Sequence, residues 1–339
     1  MTIKALGLLS GGLDSHLATH IMQDMGFDIT LLNFSSPFCN CTKKKASCNN
    51  EAKKIADELG MPCQVEFLGQ EYLDIIRNPK FGYGKNMNPC IDCRVMIFKR
   101  AKSKMKKLGS AFIFTGEVLD QRPMSQNLTK MTMIERESGL EGYVVRPLSA
   151  KLLPPTIPEK EGIIDREKML SIRGRSRKDQ IQLGRDEYSL PEESLCSSGG
   201  CLLTDPNFAV RIRDLMENSV GATVKDTHFL KVGRHFRLTN KLKVVVGRNH
   251  EENNKLEKMA SSTDFLFYPD HIGIKGPLTV IQGFFDKDTI KQIGGISSSY
   301  CSGTEGKPVR MVYRTKSGAN KWFVMAKPAT KEMIEKWRI

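Results

Sequence analysis

The chain has 339 residues, 40% of them hydrophobic and 27% charged, which is enough apolar material for two domains and too evenly mixed for collagen-like, coiled-coil or disordered classes. No apolar run reaches the ~20 residues of a membrane span. The first residues lack the basic, apolar and cleavage segments of a signal peptide, so a cytoplasmic protein without membrane contact is expected. Lys and Arg number 52 against 38 Asp and Glu, a formal net charge of +14 that favours polyanionic partners, nucleic acid first.

Residues 3–9 form a short apolar run suited to a buried strand, and Ser10-Gly11-Gly12-Leu13-Asp14-Ser15 follows it. Residues 16–25 are expected to be helical, stopped by Gly26, and 29–34 to form a second strand. A helix over 52–59, a strand over 64–68, a basic helix over 94–108 and a strand over 111–115 repeat the alternation. Strands alternating with helices predict a parallel sheet of the α/β type. Pro154, Pro155 and Pro158 then exclude continuous helix, and Gly174-Arg175-Ser176-Arg177-Lys178 is a dense basic cluster. Beyond residue 200 the elements shorten, with strands expected at 236–238, 242–246, 278–282, 309–313 and 322–326. Two domains are expected, 1–200 and a smaller α+β domain over 201–339.

The loop after the first strand carries chemistry. Adjacent glycines let the backbone turn sharply and turn consecutive N–H groups toward an anion, and the helix that follows adds its positive end. Ser10 and Ser15 add hydroxyl donors. Asp14 suits such a site only as a Mg²⁺ ligand or a helix cap. The spacing fits neither the Walker loop nor Gly-x-Gly-x-x-Gly. The whole string resembles the pyrophosphatase loop of the PP-loop enzymes, which split ATP between the α and β phosphates and adenylate a carbonyl oxygen.

Nine cysteines, unevenly spaced, suggest thiols in a reducing compartment rather than a disulfide framework. Cys63 and Cys301 read as small buried residues. Asn88-Pro89-Cys90-Ile91-Asp92-Cys93 is different: Cys-x-x-Cys can hold a metal or cluster iron, or form a redox disulfide. Cys39, Cys41 and Cys48 lie beside a lysine run and read as incidental.

A PP-loop at the N-terminus followed by Asn-Pro-Cys-x-x-Cys and a basic helix resembles the tRNA thiolases of the 2-thiouridylase and 4-thiouridine-synthetase group. Ser197-Ser198-Gly199-Gly200-Cys201-Leu202-Leu203-Thr204-Asp205, Gly116 to Leu119, Gln121 to Gln126 and Arg146-Pro147-Leu148 are similar to the branch that carries a C-terminal NFACT-R-type domain. Leu119-Asp120-Gln121 departs from it, with an acid where a small residue is expected.

The resemblance implies an adenine nucleotide alpha hydrolase-like fold and ATP with Mg²⁺ bound at Ser10, Gly11, Gly12, Asp14, Ser15 and Gly116. It implies a [4Fe–4S] cluster on Cys90, Cys93 and Cys201, with Cys196 as the spare third ligand. Asp14 and the three cysteines are the implied catalytic residues. ATP would be cleaved to AMP and pyrophosphate to activate a uridine carbonyl of tRNA, and sulfur would displace AMP. The sulfur donor implied is sulfide or a persulfide derived from a cysteine desulfurase, and a homodimer is compatible with the group.

Gly233-Arg234-His235-Phe236-Arg237 and Val246-Gly247-Arg248-Asn249 resemble the NFACT-R module. Arg234, Arg237 and Arg248 are expected to contact RNA phosphates, and His235 or Phe236 to stack on an unpaired base. Two other readings stay open: a PP-loop ligase or nitrile-forming enzyme with structural zinc, and an RNA-binding factor with a vestigial ATP loop.

Overall fold

The computed structural model describes residues 2–39, 48–195, 200–270, 273–304 and 306–339. The chain divides into two compact units, Met1–Thr204 and Asp205–Ile339, a division that keeps Cys201 with the first.

The first unit runs β1 (Lys4–Leu8), α1 (Leu13–Asp24), β2 (Asp28–Ser35), α2 (Cys48–Glu58), β3 (Cys63–Phe67), α3 (Gln70–Arg77), α4 (Cys90–Leu108), β4 (Phe112–Thr115), α5 (Leu128–Ser138), β5 (Val144–Val145), α6 (Ile157–Lys160) and α7 (Lys178–Asp186). Among the described residues five strands form one parallel sheet in the order β3-β2-β1-β4-β5. Its central strands are near-continuous apolar runs because helices cover both faces. Ala5, Leu31 and Phe114 pack under α1 and α2 on one side, and Leu6, Ile113 and Leu32 pack under α4 and α5 on the other. After β3 the chain crosses to the far side of β1 to enter β4. The loops leaving β1 and β4 therefore diverge, and the crevice between them is where such sheets bind ligands.

The second unit runs α8 (Pro206–Asn218), α9 (Val224–Phe229), β6 (Arg234–Thr239), β7 (Leu242–Val246), α10 (His250–Met259), β8 (Phe265–Pro269), β9 (Thr279–Gln282), α11 (Lys287–Ser298), β10 (Val309–Thr315), β11 (Trp322–Ala326) and α12 (Lys331–Trp337). Its antiparallel sheet has the order β11-β10-β8-β9-β7-β6. Alternate residues of β7, β8 and β9 face opposite cores. Val244, Val246, Phe267 and Ile281 meet Ile290, Ile293 and Ile296 of α11, while Val245, Leu266 and Val280 meet Leu256 of α10.

The parallel sheet and the smaller α+β unit agree with the expectation. The basic helix does not start at Arg94; α4 begins at Cys90, directly after Pro89 at its N-cap. Cys-Ile-Asp-Cys carries no apolar periodicity, so composition placed the boundary late. β8, the apolar run Phe265–Pro269, is a strand beyond those expected. No described helix is long and apolar enough to cross a membrane.

Candidate nucleotide cleft and thiol pocket

Loop 10–15 turns at Gly11, whose φ of +77° is a conformation that side chains strongly disfavour. Ser15 Oγ donates to the Gly12 carbonyl and accepts from Ser10 N at 3.2 Å, so the loop is closed on itself. Asp14 does not cap α1; its Oδ2 accepts from Arg177 Nη2 at 2.8 Å. Its Oδ1 is buried without a hydrogen-bond partner.

Gly116 closes the other wall. A Cβ there would lie 2.4 Å from the backbone of Asp14 and Ser15, so only glycine lets the β4 exit approach the first turn of α1. Between these walls is an open cleft of about 420 Å³, lined by Ser10, Gly12, Asp14, Ser15, Gly116 and Gln126 and by Arg94, Arg122 and Arg177. Glu117 underlies it. Arg146 Nε donates to its Oε2 at 3.0 Å, and Arg94 Nη2 lies 3.4 Å from its Oε1. Burial pushes the Glu117 carboxyl up, but Arg94 and Arg146 outweigh it and hold the group below its ordinary range. The sequence-named residues Ser10, Gly12, Asp14, Ser15 and Gly116 thus line one cleft with a cationic rim, an arrangement suited to a polyphosphate.

Cys90 and Cys93 occupy the first turn of α4, with α3 rather than a strand before them, so the thioredoxin-like context is absent. Asp92, between them, accepts from Lys80 N at 2.9 Å and Phe81 N at 3.1 Å and fixes the chain ahead of the helix. Segment 201–204 is stitched to both neighbours. Leu202 N donates to Phe38 O at 2.8 Å, and Met87 N donates to Leu203 O at 3.1 Å. Cys39 and Cys201 are bridge partners across that seam.

Cys39, Cys90, Cys93 and Cys201 lie near enough to act on one another's charge. Burial pushes Cys201 up to about 12, and Cys93, Cys39 and Cys90 add to the rise. Burial also raises Cys93, against a hydrogen bond from the Tyr72 hydroxyl and the charge of Arg94. Cys90 is raised by burial and pulled back by Arg94 and Arg122. Cys39, read as incidental in the sequence, sits beside the proposed set; no local signal could show it, since 162 positions separate it from its bridge partner. Cys41, the Cys48 side chain and Cys196 lie outside the described residues, as do Ser197 to Gly199.

An unpartnered, buried Asp14 Oδ1 on a cleft suits Mg²⁺, which takes one or two carboxylates plus substrate phosphates. Thiols supplied by α4 and by segments 39 and 201 suit cluster iron in donor chemistry only. Among the described residues no three Cys, His, Asp or Glu side chains converge tightly enough to hold a single metal ion.

In the second unit Arg234 and Arg248 line one groove of about 1230 Å³ with His250, Tyr268, Lys275 and Tyr300. The Arg234 guanidinium lies 4.4 Å from the centre of the Tyr300 ring, and Arg248 Nη2 donates to Gly233 O at 2.7 Å. Arg237, three residues along β6, faces away from that groove. It makes paired 2.7 Å bonds to Asp214, which also accepts from Lys243 at 2.9 Å. His235 and Phe236 are 1% and 0% exposed, so neither can stack on a base as expected. Phe236 belongs to the core cluster that includes Ile334 of α12, and the buried His235 Nε2 pairs with Val232 O at 2.9 Å.

Comparison with known proteins agrees with this division. Residues 2–167 match the family described as thiamine biosynthesis protein (ThiI), and residues 233–338 match the NFACT protein RNA binding domain. A tRNA-specific 2-thiouridylase MnmA 2 of Thermoanaerobacter sp. is 26% identical over 251 residues, covering 68% of this chain and 64% of the relative. The chain therefore spans less than two thirds of that relative. A tRNA-specific 2-thiouridylase MnmA of Mycobacterium avium is 30% identical over 162 residues, 44% of each chain. A solved 4-thiouridine synthetase–RNA complex with bound ATP is 22% identical, covers 57% of this chain and 53% of that one, and has a TM-score of 0.35.

Proposed function

We propose that this chain, a PP-loop protein with a ThiI-type domain over residues 2–167 and an NFACT-type domain over 233–338, is an ATP-dependent tRNA sulfurtransferase. One observation carries the reading: the anion cleft and the thiol pocket adjoin, since Arg94 of α4 lines the cleft one residue after Cys93. An enzyme that activates a carbonyl with ATP and replaces its oxygen by sulfur needs those two sites side by side.

In this reading loop 10–15, Arg94 and Arg177 hold the triphosphate, and Asp14 Oδ1 is the ligand for Mg²⁺. The uridine oxygen attacks the α phosphate, releasing pyrophosphate, whose charge the loop amides, Arg94 and Arg177 stabilise. Cys90, Cys93 and Cys201 would hold the [4Fe–4S] cluster, which would supply sulfide-level sulfur. The groove of Arg234 and Arg248 holds the tRNA backbone. The sulfur comes from sulfide or from a desulfurase-derived persulfide.

Nucleoside mass spectrometry of tRNA from a deletion strain tests the activity: one thiolated uridine is expected to disappear and to return with the intact gene. A full complement of thionucleosides in that strain would remove the function. Anaerobic reconstitution tests the thiols. Cys201→Ser is expected to lose iron, acid-labile sulfide and thiolation together, whereas Cys301→Ser keeps all three. Thiolation by iron-free protein would leave a cysteine persulfide as the carrier.

A further inference from the structure

Two of the three cleft arginines are tied to carboxylates, Arg177 to Asp14 at 2.8 Å and Arg94 to Glu117 at 3.4 Å. The third, Arg122, differs: among the described residues no carboxylate pairs with its guanidinium. Its backbone is nonetheless pinned. The Arg122 carbonyl accepts from Ser125 N at 3.2 Å and Gln126 N at 2.8 Å, and Asp120 N closes the loop on Gln126 O at 2.7 Å. A fixed loop thus presents an uncommitted cation to the cleft.

The same loop reaches the thiol pocket. A Cβ on Gly84 would lie 3.3 Å from Met124 Cε and 3.4 Å from Cys90 Sγ, so the side chain two residues after Arg122 and that thiol both border Gly84. Arg94 and Arg122 pull the Cys90 thiol down against burial, while burial and Arg94 lower Arg122 itself against the charge of Asp14.

We propose that Arg122 is a catalytic residue that spans the two halves of the site, holding the phosphate of the adenylated base while sulfur displaces it. The proposal rests on the sulfurtransferase reading above. In the displacement, hydrosulfide-level sulfur gives its electron pair to the activated ring carbon and the C–S bond forms. The C–O bond to the adenylate breaks, its pair leaves with AMP, and the sulfur-borne proton passes to the ring nitrogen, so no external reductant is needed. Charge builds on the departing phosphate, and a guanidinium fork without a competing carboxylate is suited to receive it.

Calorimetry on the full chain with AMP and with inorganic pyrophosphate as probes separates this role from general phosphate binding. Arg122→Gln is expected to weaken AMP about tenfold or more while pyrophosphate affinity stays within about twofold, and Arg122→Lys is expected to recover part of the loss. In single turnover, Arg122→Gln slows thionucleoside formation about 100-fold, while ATP–pyrophosphate exchange holds within about threefold. Equal loss of both probes, no loss of AMP, or unchanged single-turnover thiolation overturns the proposal. If the wild-type chain makes no thionucleoside, the sulfurtransferase reading falls, and the AMP-to-pyrophosphate ratio still decides Arg122. Should Arg122→Gln not fold, Arg122→Lys is read alone, with an expected AMP loss of about threefold and the same overturning results.

Discussion

Glu117 in the first unit and Asp214 in the second are both buried carboxylates placed between two cations. Asp214 has its oxygens filled: Arg237 grips both, Lys243 takes one again, and all three side chains are largely withdrawn from water. Glu117 is held from behind by Arg146 and from the front by Arg94, which leaves Arg94 facing a cleft. Arg237 and Lys243 also border a cavity, but one without the glycine loop and serine hydroxyls that accompany Arg94, so the filled set stabilises a fold while Arg94 belongs to a site. The difference separates arginines that resemble one another in sequence, Arg237 from Arg94.

The largest expected effect tests the closed set. Asp214→Ala leaves Arg237 and Lys243 buried without an anion and is expected to cost about 3–5 kcal/mol in urea unfolding. A loss below 1 kcal/mol, on the same scale as an exposed pair, would mean that the network is not structural.

Next comes acid. His16 of α1 is buried, its Nδ1 has no partner, and its ring stacks on His20 at 4.9 Å between centroids. Burial and then the charge of His20 lower its pKa from 6.5 to about 4. The unfolded chain therefore takes the proton first. His16 costs nothing above about pH 6.5; stability then falls as pH drops toward 4, by about 3 kcal/mol at most, and the loss flattens below that. His16→Phe is expected to remove this limb of the stability–pH curve. His235 in the second unit is likewise pushed well below its ordinary value, by burial, Lys243 and Arg211, so its replacement should blunt acid loss there.

Gly116→Ala sharpens the comparison at the cleft. The added methyl meets backbone rather than a movable side chain, and the expected cost is about 2 kcal/mol together with loss of ATP binding by calorimetry. Retained ATP affinity would take the β4 exit out of the site.

Arg234 and Arg248 should behave as a surface, not a core. Each changed to Gln is expected to weaken tRNA by about 1 kcal/mol and to reduce the salt slope by about one, with little change in stability. Arg237→Gln should show the reverse. If Arg237→Gln weakens tRNA more than it destabilises the chain, the closed network is also an RNA contact.

The smallest effect concerns Asp120, the acid found where a small residue was expected. Its φ is +60°, a conformation that favours glycine, and its carboxylate pairs with Arg173 at 2.7 Å on the surface. Asp120→Gly relieves the backbone and loses an exposed pair, so unfolding should shift by no more than about 0.5 kcal/mol toward stability.

Sequence by itself determined what is local in this protein. An apolar run followed by Ser-Gly-Gly-Leu-Asp-Ser specifies a strand, a tight turn and a helix start, because each depends only on neighbouring residues. The same holds for the alternation that makes the sheet parallel and for Cys90 and Cys93 as a pair. Tertiary structure alone decided which of these meet. The strand order 3-2-1-4-5 brings Gly116 against Asp14, and segment 201–204 sets Cys201 beside Cys39. It also gave Arg177 to Asp14 across 163 positions and closed Arg237 on Asp214. Periodicity reports which face of an element is apolar; it carries no term for the partner that covers that face. A buried charge takes its role from the partners that packing supplies.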